Sequence, residues 1–259
     1  MVRDAVVANG ELILILVGLS IIACLYSSVG HGGASGYLAV LSLTSYGIGG
    51  ASWLKQHVWF LNLVVAALAF YHYYRAGYYS KKLSYPFIIG SIPFAFIGGY
   101  LIIDSRLYDS LLSLVLIFAA YKLLKISESE EVVELNPPEM RVALPIGGGI
   151  GLISGVVGVG GGIFLSPLIL LKKWGSPKTV AATSALFIWL NSLAGIVGHG
   201  ISGQLDLDIE VLGLFAFSVL IGGFLGSKYG ASIAKQNHIR RLLVLVLVIA
   251  AMKRVIEIL

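Results

Sequence analysis

Apolar residues fall in blocks along this chain, each close to the roughly 20 residues that span about 30 Å of hydrocarbon as a helix, with polar residues gathered in the gaps. The pattern predicts helices near residues 11–27, 34–45, 51–74, 84–103, 108–125, 142–156, 162–172, 178–198, 207–228 and 238–257. One stretch is clearly polar, SESEEVVELNPPEMR from Ser127 to Arg141. Its clustered acids cannot sit in hydrocarbon, and its paired prolines disfavour a continuous helix. It divides the chain into residues 1–126, a linker 127–141, and residues 142–259. The expected fold class is an all-α polytopic membrane protein of about ten helical segments, some of them short or re-entrant.

The two parts resemble each other. VGHGGA at Val29–Ala34 matches VGVGGG at Val157–Gly162, and WFLN at Trp59–Asn62 matches IWLN at Ile188–Asn191. Further on, IGGYL at Ile97–Leu101 matches IGGFL at Ile221–Leu225, and AAYK at Ala119–Lys122 matches AAMK at Ala250–Lys253. Four matches in the same order indicate an internal duplication. Each half holds five apolar segments, an odd number, so the second half enters the bilayer from the opposite side and the repeats are inverted. If the first pair of each half were a re-entrant hairpin, the parity would still be odd.

Composition strengthens the membrane reading. The chain is 58% hydrophobic and 12% charged, against the roughly 25% charged of a soluble domain. The first block follows Arg3 as a signal peptide would, but no convincing cleavage site follows it, and it is read as a retained helix. Cys24 is the only cysteine, which excludes an intrachain disulfide and any cysteine metal cluster. The net charge of +5 is what cytoplasmic loops recruit, so it implies no nucleic-acid partner.

The basic residues also orient the chain. Arg75, Lys81, Lys82, Lys122, Lys125, Arg141, Lys172, Lys173, Lys178, Lys228, Lys235, Arg240 and Arg241 would share one side, against Arg3, Lys55, Arg106, Lys253 and Arg254 on the other. That imbalance places the linker in the cytoplasm and both termini outside a cell inner membrane.

Candidate chemistry begins with two glycine runs, Ser27–Gly36 and Gly155–Phe164. Glycines let membrane helices pack closely, but broken helices at repeat-related positions point to a transporter's substrate site. Helices restarting at Gly30, Gly32 and Gly33, and at Gly158, Gly160, Gly161 and Gly162, would converge their free N–H groups and positive dipole ends. That arrangement favours an anion. His31 replaces Val159 of the other half and is either a donor or a histidine bonded to backbone; its titration range makes it a candidate proton carrier. Lys55 and Gln56 open the third segment where Thr183 and Ser184 stand in the second half. Ionisable residues inside a membrane are functional candidates by default, although a lysine near a helix end can also snorkel. Asn62 and Asn191 recur with the repeat, as helix glue or as substrate contacts. The cluster Tyr71–Tyr79 reads as an interfacial aromatic belt.

These residues resemble the TauE/SafE sulfite exporter family over essentially the whole chain. The duplicated glycine runs, the polar linker and ASWLKQ at Ala51–Gln56 carry the resemblance, the last looking like the family's Ala-Thr-Asn-Lys-x-x-type segment. The first run departs from the usual pattern at His31 and Ala34. The resemblance implies a secondary transporter, an exporter of sulfite, of sulfonates such as sulfoacetate, or of a similar small anion, with no cofactor and no enzymatic activity. The expected partners are that anion and the lipid bilayer; monomer and homodimer stay open. Two other classes compete. A channel could be lined by the same helix ends. An intramembrane protease is suggested by GASG, Gly33–Gly36, which matches the rhomboid nucleophile motif, with His199 as the base of Ser35. Against the protease, Ser35 follows a single apolar segment and its repeat counterpart is Ile163.

Overall fold

The computed structural model describes residues 9–104 and 135–233, with a few positions between 105 and 121. Eight α-helices lie among them: α1 (Asn9–Ser27), α2 (Ala34–Ser42), α3 (Gly50–Arg75), α4 (Lys81–Tyr100), α5 (Met140–Val157), α6 (Gly162–Leu171), α7 (Pro177–Ile201) and α8 (Ile209–Ser232). All but α2 and α6 are long and apolar enough to cross a membrane. The segments expected near 108–125 and 238–257, and the AAYK and AAMK pair, fall largely outside the described residues. The expected second segment, 34–45, stops at Ser42, and a 3₁₀ turn over Ser45–Gly49 leads into α3.

Among the long helices, α4, α7 and α8 begin with side-chain caps. Ser80 accepts from the Leu83 amide, Ser176 from Thr179 with Pro177 following it, and Asp208 from Val211, so the amides left open at these termini find side-chain acceptors. The short helices begin otherwise. Gly33 and Gly161 precede α2 and α6 in left-handed conformations, φ 99° and 86°, with no side-chain cap from either. Only glycine adopts that geometry freely, and it lets an irregular strand turn into a helix within one residue.

Glycine seams set the directions of the helices. A Cβ at Gly222, Gly226 or Gly230 of α8 would strike the backbone of Ser20, Cys24 or Ser28. The numbers rise together, so α1 and α8 run parallel. In the same way Gly147, Gly151 and Gly155 of α5 lie against Phe87, Ser91 and Ala95, and α4 runs parallel to α5. Helices α3 and α7 cross the centre antiparallel, joined by Ser52 with His199 and by Asn62 with Ser192. First helix packs on fourth helix of the other half in both cases, α3 packs on α7, and each of these two also packs on the fourth helix of the opposite half. Exchanging α1–α4 for α5–α8 therefore leaves the pattern of neighbours unchanged.

The bundle has two ends. At one, the Lys178 ammonium bonds the Tyr78 hydroxyl and the Ala231 carbonyl, Tyr73 donates to the Ser28 carbonyl, and Asn136 of the linker donates to the Trp174 carbonyl. This linker end gathers Arg75, Lys81, Lys82, Arg141, Lys172, Lys173, Lys178 and Lys228. At the opposite end the Ser45 amide donates to Glu11, Gln56 exchanges two hydrogen bonds with the Asp206 backbone, and the Asp208 amide donates to His57 Nε2. Helix α1 starts at this opposite end, whereas α5, the first helix after the linker, starts at the linker end. Apolar side chains such as Leu14, Val17, Ile21, Phe217 and Leu225 cover the outer faces of α1 and α8, as a lipid-facing surface requires.

Candidate functional site

Both glycine runs descend from an end of the bundle to its middle. The first leaves α1 at the linker end: Gly30 lies against Ala181 near the start of α7, and Gly32 against Asn62 and Ile188. Helix α2 then continues to the opposite end. The second run reverses this path. Gly158 lies against the Lys55 stem near the start of α3, Gly160 against Ile188, Asn62 and Ser192, and α6 returns to the linker end. Each crossing is thus half irregular chain and half short helix. The two helix N-termini meet over one patch of three side chains, Asn62 of α3 with Ile188 and Ser192 of α7. Irregular backbone at this depth is tolerated only where protein or a cavity surrounds it.

Asn62 is the hinge of that patch. Its Oδ1 accepts the Ala34 amide at 3.1 Å, capping α2 from another helix, and its Nδ2 donates to Ser192 Oγ at 3.3 Å. His31 sits beside the start of α6, with Cδ2 3.4 Å from where a Gly162 Cβ would stand. Its Nδ1 donates to the Val29 carbonyl at 3.0 Å, which fixes the tautomer of the neutral ring and leaves Nε2 as the acceptor.

Lys55 lies one helical face along from Asn62, through Trp59. The spacing 55, 59 and 62 puts all three on one side of α3, towards α7. Lys55 is 3% exposed, and its ammonium lies 5.2 Å from the centre of the Trp59 ring. Among the described residues no carboxylate pairs with it and no hydrogen bond reaches it. The Trp59 indole Nε1 is also buried without a partner. His199 stands edge-on to Trp59 at 5.6 Å; its Nδ1 donates to the Gly99 carbonyl and its Nε2 faces Ser52 Oγ at 3.0 Å.

Other sequence candidates lie away from this patch. Gln56 is held by the Asp206 backbone, and its side chain ties the α7–α8 connection to α3. Thr183 and Ser184 sit near the linker end, bonded to Ser84 of α4 at 2.9 Å and to Ser166 of α6 at 2.6 Å. They join helices, whereas the expected pocket placed them with Lys55. The serine and histidine of the protease reading are engaged separately. Ser35 Oγ shares a 2.8 Å hydrogen bond with Tyr26, and both ring nitrogens of His199 are occupied as above. Trp59 and Ser192 were visible in the sequence only as a repeat marker and a polar neighbour. The i, i+4, i+7 spacing from Lys55 is the signal that singles out Trp59.

The family described as sulfite exporter TauE/SafE matches residues 13–254. A probable membrane transporter protein, y4hK, of Sinorhizobium fredii (strain NBRC 101917 / NGR234) is 31% identical over 94% of this chain and 98% of its own. A second, YunE of Bacillus subtilis (strain 168), is 24% identical over 71% of each chain. A third, MJ0441 of Methanocaldococcus jannaschii, is 25% identical over 89% of this chain and 90% of its own. No solved structure matches.

Proposed function

Because this chain belongs to the sulfite exporter TauE/SafE family, we propose that it exports a small sulfur-containing anion, sulfite or a sulfonate such as sulfoacetate, across the inner membrane. That it is a multi-pass membrane transporter follows from the membership, from relatives named as transporters, and from six helices among the described residues that are long and apolar enough to cross. One observation carries the substrate class: two half-helix N-termini meet at one buried patch, with the unpaired Lys55 close by. Positive dipole ends and a desolvated ammonium call for a negative ligand. Asn62 and Ser192 are fully buried, which favours an occluded carrier over an open pore.

In this reading α1–α4 and α5–α8 belong to two inverted repeats, residues 1–126 and 142–259, and the pairing of neighbours that survives their exchange supports it. The patch would be reached alternately from each end as one repeat rocks against the other. Purified protein screened by thermal shift against sulfite, sulfate, thiosulfate, sulfoacetate and small carboxylates tests the substrate class, since a ligand of the folded state raises its apparent stability. A sulfur anion is expected to give the largest rise. Stabilisation only by carboxylates, or by nothing in the panel, would reject the assignment. In proteoliposomes, saturable flux with counterflow marks a carrier, and large passive currents would mark a channel.

The linker end, with its basic residues, faces the cytoplasm in this reading, and both termini face outside. With Cys24 replaced by Ser, an impermeant maleimide should label Glu210→Cys in intact cells and Lys172→Cys only after lysis. The reverse pattern would invert the topology.

A further inference from the structure

The two glycine runs meet the same helix pair but start their helices differently. The amide of Ala34, first in α2, is taken by Asn62 of α3. Asn191, the repeat counterpart of Asn62, does no such service for α6. Its Nδ2 turns back to the Phe187 carbonyl at 2.9 Å, and its Oδ1, on a residue 1% exposed, has no partner. Because Nδ2 donates to a carbonyl, the amide cannot be flipped without setting two acceptors against each other. The atom left over is an acceptor.

Asn191 stands on the face of α7 that packs against the second run. Phe187 and Ile188, one turn before Asn191 on the same face of α7, are the side chains met by Gly161 and by Gly160 and Gly162; Ser192 beside it meets Gly160. Gly161 provides no side-chain cap there; its carbonyl takes the Phe164 and Leu165 amides, and the Gly162 and Ile163 amides ahead of them have no acceptor within the helix. Helix-end donors and a buried acceptor that lacks a proton therefore lie along one face of α7. A fully ionised oxyanion, or a sulfonate, offers only acceptor oxygens and would set one of them against Asn191 Oδ1. An anion that keeps a proton offers both partners: bare oxygens for the α6 amides and an X–H donor for Asn191.

Resting on the anion-transport reading above, we infer that the second glycine run selects an oxyanion that carries its own proton, of the hydrogensulfite type, through the unpaired Oδ1 of Asn191. The ligand titrates, not the protein. The titratable side chains around the two runs are His31, whose ring lies beside Gly162, Tyr37 of α2, which lies against Gly33, and Lys55 of α3, which lies against Gly158 and Trp59. Helix α6 has none, α5 carries only Arg141 at its far end, and α7 carries Lys178 and His199 near its two ends.

The test is isothermal titration of the purified full chain with sulfite and with methanesulfonate, which presents a similar sulfur–oxygen face and no acidic proton, over a range of pH spanning the second ionisation of sulfurous acid. Sulfite should bind more tightly at the acid end, weakening by about tenfold per pH unit above that ionisation, while methanesulfonate stays weak and flat. Asn191→Leu should bring the sulfite affinity down to that of methanesulfonate and remove the sulfite slope, with size-exclusion and melting behaviour checking its fold. The wild-type comparison decides the matter even if that variant does not fold. Equal affinities, or one pH profile shared by both anions, would overturn the inference alone and move any titration to His31 or Lys55. Binding of neither anion at any pH would overturn the functional reading and the inference with it.

Discussion

Lys55→Ala is expected to abolish anion transport while leaving the protein folded. The side chain is buried, and its ammonium is unpaired among the described residues and lies over the Trp59 ring. Desolvating a charge without a partner is costly, and a transporter can tolerate it if the partner is the substrate. Truncating one member of a desolvated charge pair costs about 2–5 kcal/mol, so anion affinity should fall roughly thirtyfold or more. The sign of the stability change separates this role from a structural one. If Lys55 is held ready for an anion, removing it relieves a desolvation penalty, and the ligand-free variant should melt no lower than wild type. If the lysine were a structural element, its loss would lower the melting temperature. Calorimetric binding and thermal unfolding of the same preparation read both quantities. Wild-type affinity in Lys55→Ala would remove the lysine from the mechanism, and the helix-end part of the reading would stand.

The helical elements were legible because hydrocarbon leaves the chain little choice: a long apolar run must satisfy its own backbone, and only a helix does so within one segment. The expected segments 51–74 and 178–198 accordingly lie within α3 and α7 to within a few residues. The breaks were legible for a different reason. VGHGGA and VGVGGG stand where an unbroken span would carry leucine, and both turned out to be irregular chain leading into a short helix. The pairing of side chains was less legible. Gln56 and Lys55 are adjacent and both polar, yet Gln56 binds the backbone of Asp206 while Lys55 turns towards Trp59. Successive residues of a helix point about 100° apart, and sequence alone does not say which direction holds the site. Thr183 and Ser184 mislead similarly, since a buried hydroxyl serves equally to tie helices together. The unpaired Oδ1 of Asn191 has no sequence signature, because it depends on which way one amide folds.

Gly160→Leu is expected to damage both stability and transport, because two independent costs meet at that residue. Its backbone has φ +71°, a left-handed conformation that costs a residue with a Cβ about 1–2 kcal/mol. A side chain there also has no room. Its Cβ would stand 2.8 Å from Ile188 Cγ2, 2.9 Å from Asn62 Nδ2 and 3.2 Å from Ser192 Oγ, and overpacking a filled interior costs about 1–3 kcal/mol. Together they predict a loss of about 2–5 kcal/mol, enough to lower the melting temperature measurably in detergent. The displaced groups are the ones that hold the two half-helices: Asn62 caps α2 and bonds Ser192. Transport should therefore fall by more than the loss of folded protein explains, measured as flux per folded molecule in proteoliposomes. Gly149→Leu is the control. That glycine lies in α5, and a Cβ there meets nothing within 4 Å; its replacement should leave melting and flux near wild type. Wild-type flux per folded molecule in Gly160→Leu would show that the meeting point of the two half-helices is packing alone, and would take the substrate site away from the centre of the bundle.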